Sequence, residues 1–115
     1  MNKFLKSFTY AFKGLAFAFK TQLNFKVHCF VAVAVILLGL YVDIDKTEWV
    51  WIALAIAMVL VVELINTAIE VLVDLISPQR QIKAGIIKDV AAAAVLVTAG
   101  LALTIGLFIF IPKLL

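Results

Sequence analysis

Apolar residues fill three long stretches of the chain, residues 27–42, 49–76 and 90–111, and the polar positions gather between and before them. The last stretch runs about 22 residues, ~33 Å as a helix, which is enough to cross a hydrocarbon core of ~30 Å. The first is shorter and needs Lys26, by snorkelling, and Tyr41, at an interface, to complete its crossing. The runs are continuous rather than alternating, which excludes a membrane barrel and predicts three transmembrane helices. Ahead of them, within residues 2–20, Phe4, Phe8, Phe12, Leu15 and Phe19 recur at helical spacing while Lys3, Lys6, Lys13 and Lys20 occupy another stripe. That pattern predicts an amphipathic helix lying in the membrane interface, phenylalanines toward the acyl chains and lysines among the headgroups.

The connections are read as a polar link at 21–26, a tight turn opening the 43–48 connection with Trp49 and Trp51 as interface anchors beyond it, and a charged connection over 79–89. Ser77-Pro78 ends the second span, because a residue before proline is pushed out of helical geometry. The first twenty residues scatter lysines through phenylalanines, unlike a cleavable leader, and no internal repeat or linker divides the chain. The expectation is a single all-α membrane domain over residues 1–115.

Composition agrees: 66% of residues are hydrophobic and 15% charged, against about 25% charged in a soluble domain. The net charge of +3 is unevenly placed. Five lysines precede the first span and Arg80, Lys83 and Lys88 follow the second, whereas the 43–48 connection carries three acids and one lysine. The positive-inside rule then predicts the N-terminus and the 77–89 connection in the cytoplasm and the 43–48 connection and C-terminus outside. The basic residues serve orientation and anionic headgroups, and no nucleic-acid-binding motif accompanies them. Cys29 is the sole cysteine, which leaves no intrachain disulfide and makes it a packing residue.

Candidate chemistry lies inside the second span, where Glu63, Asn66, Glu70 and Asp74 interrupt the apolar run. At about 100° per residue these positions fall within roughly 80° of arc, with Thr67 beside them, so they form one polar stripe. A charged side chain at the bilayer centre costs at least ~2.5 kcal/mol, so such residues face a protein interior and mark function. Three short spans cannot enclose the stripe alone, and an oligomer is therefore expected. By itself the stripe fits an enzyme, a helix-gluing cluster, or a small oligomeric channel or transporter subunit. No P-loop and no soluble-kinase signature occurs.

The segment Glu63-Leu-Ile-Asn-Thr-Ala-Ile-Glu70-Val-Leu-Val-Asp74, followed by Lys88-Asp89-Val-Ala-Ala-Ala-Ala-Val-Leu, closely resembles the signature of the prokaryotic diacylglycerol kinases, a family that includes the undecaprenol kinases. Tyr10-Ala-Phe-Lys-Gly-Leu15 and Asn24-Phe-Lys-Val-His28 extend the resemblance over nearly the whole chain. The resemblance implies a homotrimer in the bacterial cytoplasmic membrane that transfers the ATP γ-phosphate to a lipid hydroxyl with Mg²⁺. It implies Glu63 as the catalytic base, Glu70 as the metal ligand, and Asn66 as a site residue orienting Glu63 or the substrate. Lys88, Asp89 and Tyr10 match nucleotide-site positions, and Lys3 matches a basic N-terminal one.

Two positions depart from the family pattern. Gln22 stands where a metal-binding glutamate is usual, offering a carbonyl oxygen without charge, so that subsite is expected to hold metal weakly. Gln79-Arg80-Gln81 stands where Glu-Tyr-His is frequent, with Arg80 able to pair phosphate bidentately. Undecaprenol and diacylglycerol remain competing acceptors, with the short N-terminus and the 24–28 segment closer to the undecaprenol kinases. His28, the sole histidine, is read as an interfacial packing and hydrogen-bonding group outside the site.

Overall fold

The computed structural model describes residues 2–79 and 81–115, and these form four helices in chain order: α1 (Lys3–Thr21), α2 (Leu23–Val42), α3 (Lys46–Ile76) and α4 (Ile82–Leu114). The last three are long and apolar enough to cross a membrane. At 31 and 33 residues, α3 and α4 are ~46 and ~50 Å long, well beyond the hydrocarbon thickness. Their ends therefore reach headgroup depth, where charged side chains meet water.

Helix α1 starts on Asn2, whose side chain accepts the Leu5 N–H at 3.0 Å. Phe4 and Phe8, one turn apart, pack edge to face at 5.2 Å, and Phe4, Phe8 and Phe12 are all exposed. An uncovered phenylalanine row on a lysine-bearing helix is the interfacial face the pattern predicts.

The expected polar link at 21–26 contracts to Gln22. The Thr21 hydroxyl donates to the Phe17 carbonyl at 2.7 Å, completing the last turn of α1, and Lys26 N–H already bonds the Gln22 carbonyl at 3.2 Å. Polar side chains do not break a helix when the backbone stays paired and the side chains reach the headgroups. The same reasoning corrects the 79–89 connection: Gly85 N–H bonds the Gln81 carbonyl at 3.1 Å, so residues 82–89 belong to α4.

At the other end of the bundle Asp43 closes α2 in the left-handed region, with φ 58°. Asp45 then caps α3 in a reciprocal box: Glu48 N–H donates to Asp45 Oδ1 at 2.9 Å and Asp45 N–H to Glu48 Oε1 at 3.0 Å. Glu48 also meets Lys113 at 3.3 Å, tying α3 to the end of α4. Beside this tie, Ile44, Ile52, Ile109 and Phe110 form a buried cluster against which Trp49 packs. Of the four consecutive alanines 91–94 on α4 only Ala91 is buried, one turn from buried Val95, and the other three remain exposed.

Candidate active site

One face of α3 carries Ile52, Ala55, Val59, Glu63, Asn66, Thr67 and Val73 as its buried positions. Apolar spacing thus continues directly into the polar stripe, and the packing that buries Val59 buries Glu63 one turn on. Glu63 is 1% exposed and Asn66 7%. Glu70 is half-buried and Asp74 exposed, so the stripe grades from sealed to open along the helix.

The polar atoms sort unequally. Asn66 Nδ2 donates to Glu70 Oε1 at 3.1 Å, an i,i+4 pair on one helix face. Its amide donor thus reaches forward to the carboxylate one turn on. Thr67 Oγ1 donates to the Glu63 carbonyl at 2.9 Å, so its hydroxyl is taken by the backbone. Among the described residues, Glu63 Oε1 and Asn66 Oδ1 are left buried without a hydrogen-bond partner. Buried polar atoms are nearly always paired, and two orphans on one stripe point to a group that completes them.

Sequence reasoning set His28 aside, and here the structure differs. Its Nε2 lies 3.4 Å from Glu63 Oε1, in ion-pair reach, although the geometry makes no hydrogen bond. The only sequence signal was a lone histidine at the start of the first apolar stretch. Which way it faces depends on how α2 is rotated against α3.

A second group of residues meets at the 77–81 end. A cavity of about 270 Å³ there is lined by Asp74, Ser77, Gln79, Gln81, Gly85, Lys88 and Asp89, among others. Lys88 Nζ lies 2.6 Å from Asp74 Oδ1, which makes Asp74 a partner of the neighbouring helix. Lys88 and Asp89, adjacent in the chain, both line this cavity. Glu70 and Glu63 lie roughly one and three helical turns back along α3 from Asp74 at its edge.

The sequence profile described as prokaryotic diacylglycerol kinase matches residues 9–110. The chain belongs to this family. It is 43% identical to an undecaprenol kinase of Bacillus subtilis over 99% of this chain and 93% of that protein. It is 41% identical to a diacylglycerol kinase of a Synechocystis species over 96% of this chain, spanning 64% of that longer relative.

The family match takes in Tyr10, Gln22 and the whole stripe through Asp89, and leaves Lys3 outside it. Tyr10 lies on α1, 65% exposed, with Lys13 Nζ 5.8 Å from its ring centre. Lys3 opens α1 and is exposed. Neither joins the cavity at the 77–81 end. Gln22 sits at the α1–α2 junction, its N–H bonded to the Ala18 carbonyl at 2.9 Å. Arg80 lies outside the described residues.

Among the described residues no three His, Cys, Asp or Glu side chains converge as a metal cage. Mg²⁺ does not require one: it takes one or two carboxylates and completes its octahedron with water and phosphate oxygens. The Glu70 carboxylate and the unpaired Asn66 Oδ1, both hard oxygen donors on one face, fit that demand.

Proposed function

We propose that this chain is an integral-membrane lipid kinase that transfers the γ-phosphate of ATP to the hydroxyl of a lipid alcohol, with undecaprenol preferred over diacylglycerol. The observation that carries the reading is the Glu63 carboxylate, 1% exposed with an unpaired oxygen, inside a membrane helix of a diacylglycerol kinase family member. The preference for undecaprenol rests on the relative named for it, which matches nearly end to end.

Phosphoryl transfer needs positioning, charge neutralisation and a group at the attacking hydroxyl. Lys88 offers an ammonium to the phosphates, and Asp89 beside it accepts from the nucleotide. Tyr10 and Lys3 on α1 are nucleotide-binding candidates by the family resemblance, and Arg80, outside the described residues, is one by its capacity to pair phosphate bidentately. Glu70, braced by Asn66 Nδ2, would hold Mg²⁺ together with Asn66 Oδ1, and Gln22 would add a weak carbonyl donor. When bound, Mg²⁺ supplies charge neutralisation at the phosphate oxygens. Glu63 takes the hydroxyl proton as that oxygen attacks the γ-phosphorus and the bond to the β–γ bridging oxygen breaks, releasing ADP.

The half-buried Glu70 of a single chain would be costly against lipid, which supports an oligomer that covers it. A homotrimer is the form the family resemblance implies. The charge asymmetry of the connections supports an N-terminus and nucleotide site facing the cytoplasm of a bacterial cell membrane.

The test is transfer of labelled phosphate from ATP by bilayer-embedded protein, with undecaprenol and diacylglycerol assayed side by side. Label in the undecaprenol product above that in phosphatidic acid is the expected result. Label in neither, with ion flux across the bilayer instead, would replace the kinase by a channel.

A further inference from the structure

Between α2, α3 and α4 lies a second cavity, of about 450 Å³, whose walls include Val31, Val35, Ala55, Val59, Leu103 and Phe110. Its lining is apolar except at one point, His28. From His28 to Leu38 along α2 it extends ten residues, ~15 Å, about half the hydrocarbon thickness. Its size and lining suit a single apolar ligand chain. At the His28 end it abuts the turn of α3 that carries Glu63: Val59 lines it, and Glu63 follows one turn on.

His28 therefore touches both the groove and the carboxylate. Its Nε2 faces Glu63 Oε1 at 3.4 Å, and that oxygen has no hydrogen-bond partner among the described residues. A small rotation of a neutral imidazole carrying its proton on Nε2 supplies the missing hydrogen bond. Oε1 is then occupied, and Oε2 is the oxygen left to accept a proton.

We propose that His28 is a positioning residue for the phosphoryl acceptor: it fixes the Glu63 carboxylate and closes the headgroup end of the groove, so that a lipid tail lodged there delivers its hydroxyl to Glu63. This rests on the lipid-kinase reading. In the step itself the hydroxyl proton passes to Glu63 Oε2, the new bond forms between the lipid oxygen and the γ-phosphorus, and ADP leaves with the bridging oxygen. His28 exchanges no proton in the balance. Its contribution is the orientation of the base, a place inside the site rather than that of an interfacial packing and hydrogen-bonding group outside it.

The experiment compares His28→Gln, His28→Asn and His28→Leu in the full-length protein in bilayers, with ATP and lipid alcohol each varied. The glutamine amide nitrogen reaches the place of Nε2, whereas that of asparagine stops near Nδ1. His28→Gln should keep most of the wild-type kcat. His28→Asn and His28→Leu should lose about 10- to 100-fold, the range for partners that orient functional ligands, with KM for ATP unchanged. In a Glu63→Gln background, His28→Asn should cause no further loss, because the residue acts through that carboxylate. Ala102 of α4 also lines the groove, and Ala102→Phe, which fills it, should raise KM for the lipid alcohol and leave KM for ATP alone.

Equal kcat for the glutamine and asparagine variants would overturn the proposal, as would a loss that adds in full to that of Glu63→Gln. An unchanged lipid KM in a folded Ala102→Phe protein would remove the tail from the groove. Because glutamine and asparagine are compared with each other, the outcome stands even if the leucine variant fails to fold. A wild-type protein that phosphorylates no lipid alcohol sinks the kinase reading itself, which is a different result from active but indistinguishable His28 variants.

Discussion

Lys88 Nζ lies 2.6 Å from Asp74 Oδ1, joining the last turn of α3 to the second turn of α4 at the cavity that also presents Asp89. The two side chains are 40% and 64% exposed, and exposed ion pairs contribute roughly 0–1 kcal/mol. Lys88→Gln should therefore leave thermal stability almost unchanged. If Lys88 serves the phosphates, the same variant should raise KM for ATP about tenfold or more, the size of one lost charge-assisted bond. An unaltered KM for ATP with a lowered melting temperature would make the pair structural.

Glu63→Gln keeps the shape of the side chain and removes its capacity to accept a proton. Turnover should fall by about 10²-fold or more, the range for loss of a general base, while nucleotide affinity is retained. Near wild-type turnover would take Glu63 out of the reaction.

The uncharged Gln22 offers a direct reading of metal binding. Gln22→Glu adds a full charge at a one-residue junction between helices, where the side chain is half-buried and folding should tolerate it. The Mg²⁺ concentration for half-maximal activity should drop, because hard cations favour carboxylate over amide oxygen. An unchanged or higher requirement in a folded, active variant would confine the metal to Glu70 and Asn66.

Orientation can be measured with cysteines at Ser77 or Gln79 and at Thr47, introduced after Cys29 is replaced. Positions 77 and 79 should react with impermeant reagents only from the cytoplasmic side, and position 47 only from outside. Reversed labelling would put the Lys88 cavity beyond the reach of cytoplasmic ATP.

Gly39 tests the packing at the other end. A methyl group there would sit 2.8 Å from Trp49 Cη2 and 3.1 Å from Ile44 Cδ1, both held in the buried cluster of that end. The Gly39 carbonyl also accepts the Ile44 N–H at 3.2 Å, so the backbone has little room to retreat. Gly39→Ala should cost about 1–3 kcal/mol, seen as a lowered melting temperature in detergent, with activity per folded protein maintained.

What the chain determined by itself was what depends on solvent and on short-range geometry. Apolar runs long enough for a bilayer specified α2, α3 and α4, the lysine–phenylalanine alternation specified α1, and helical periodicity alone aligned Glu63, Asn66 and Glu70 on one face. The boundaries at Gln22 and Ile82 escaped it, because polarity marks the membrane surface and helices continue through that surface wherever the backbone stays paired. The tertiary structure decided the relations between helices: that His28 of α2 faces Glu63 of α3, and that Asp74 pairs with Lys88 fourteen residues away. The rotation of one helix against another is set by side-chain packing over its whole length. No local spacing in the sequence encodes that rotation, so the partner of the buried carboxylate became visible only once the helices were packed.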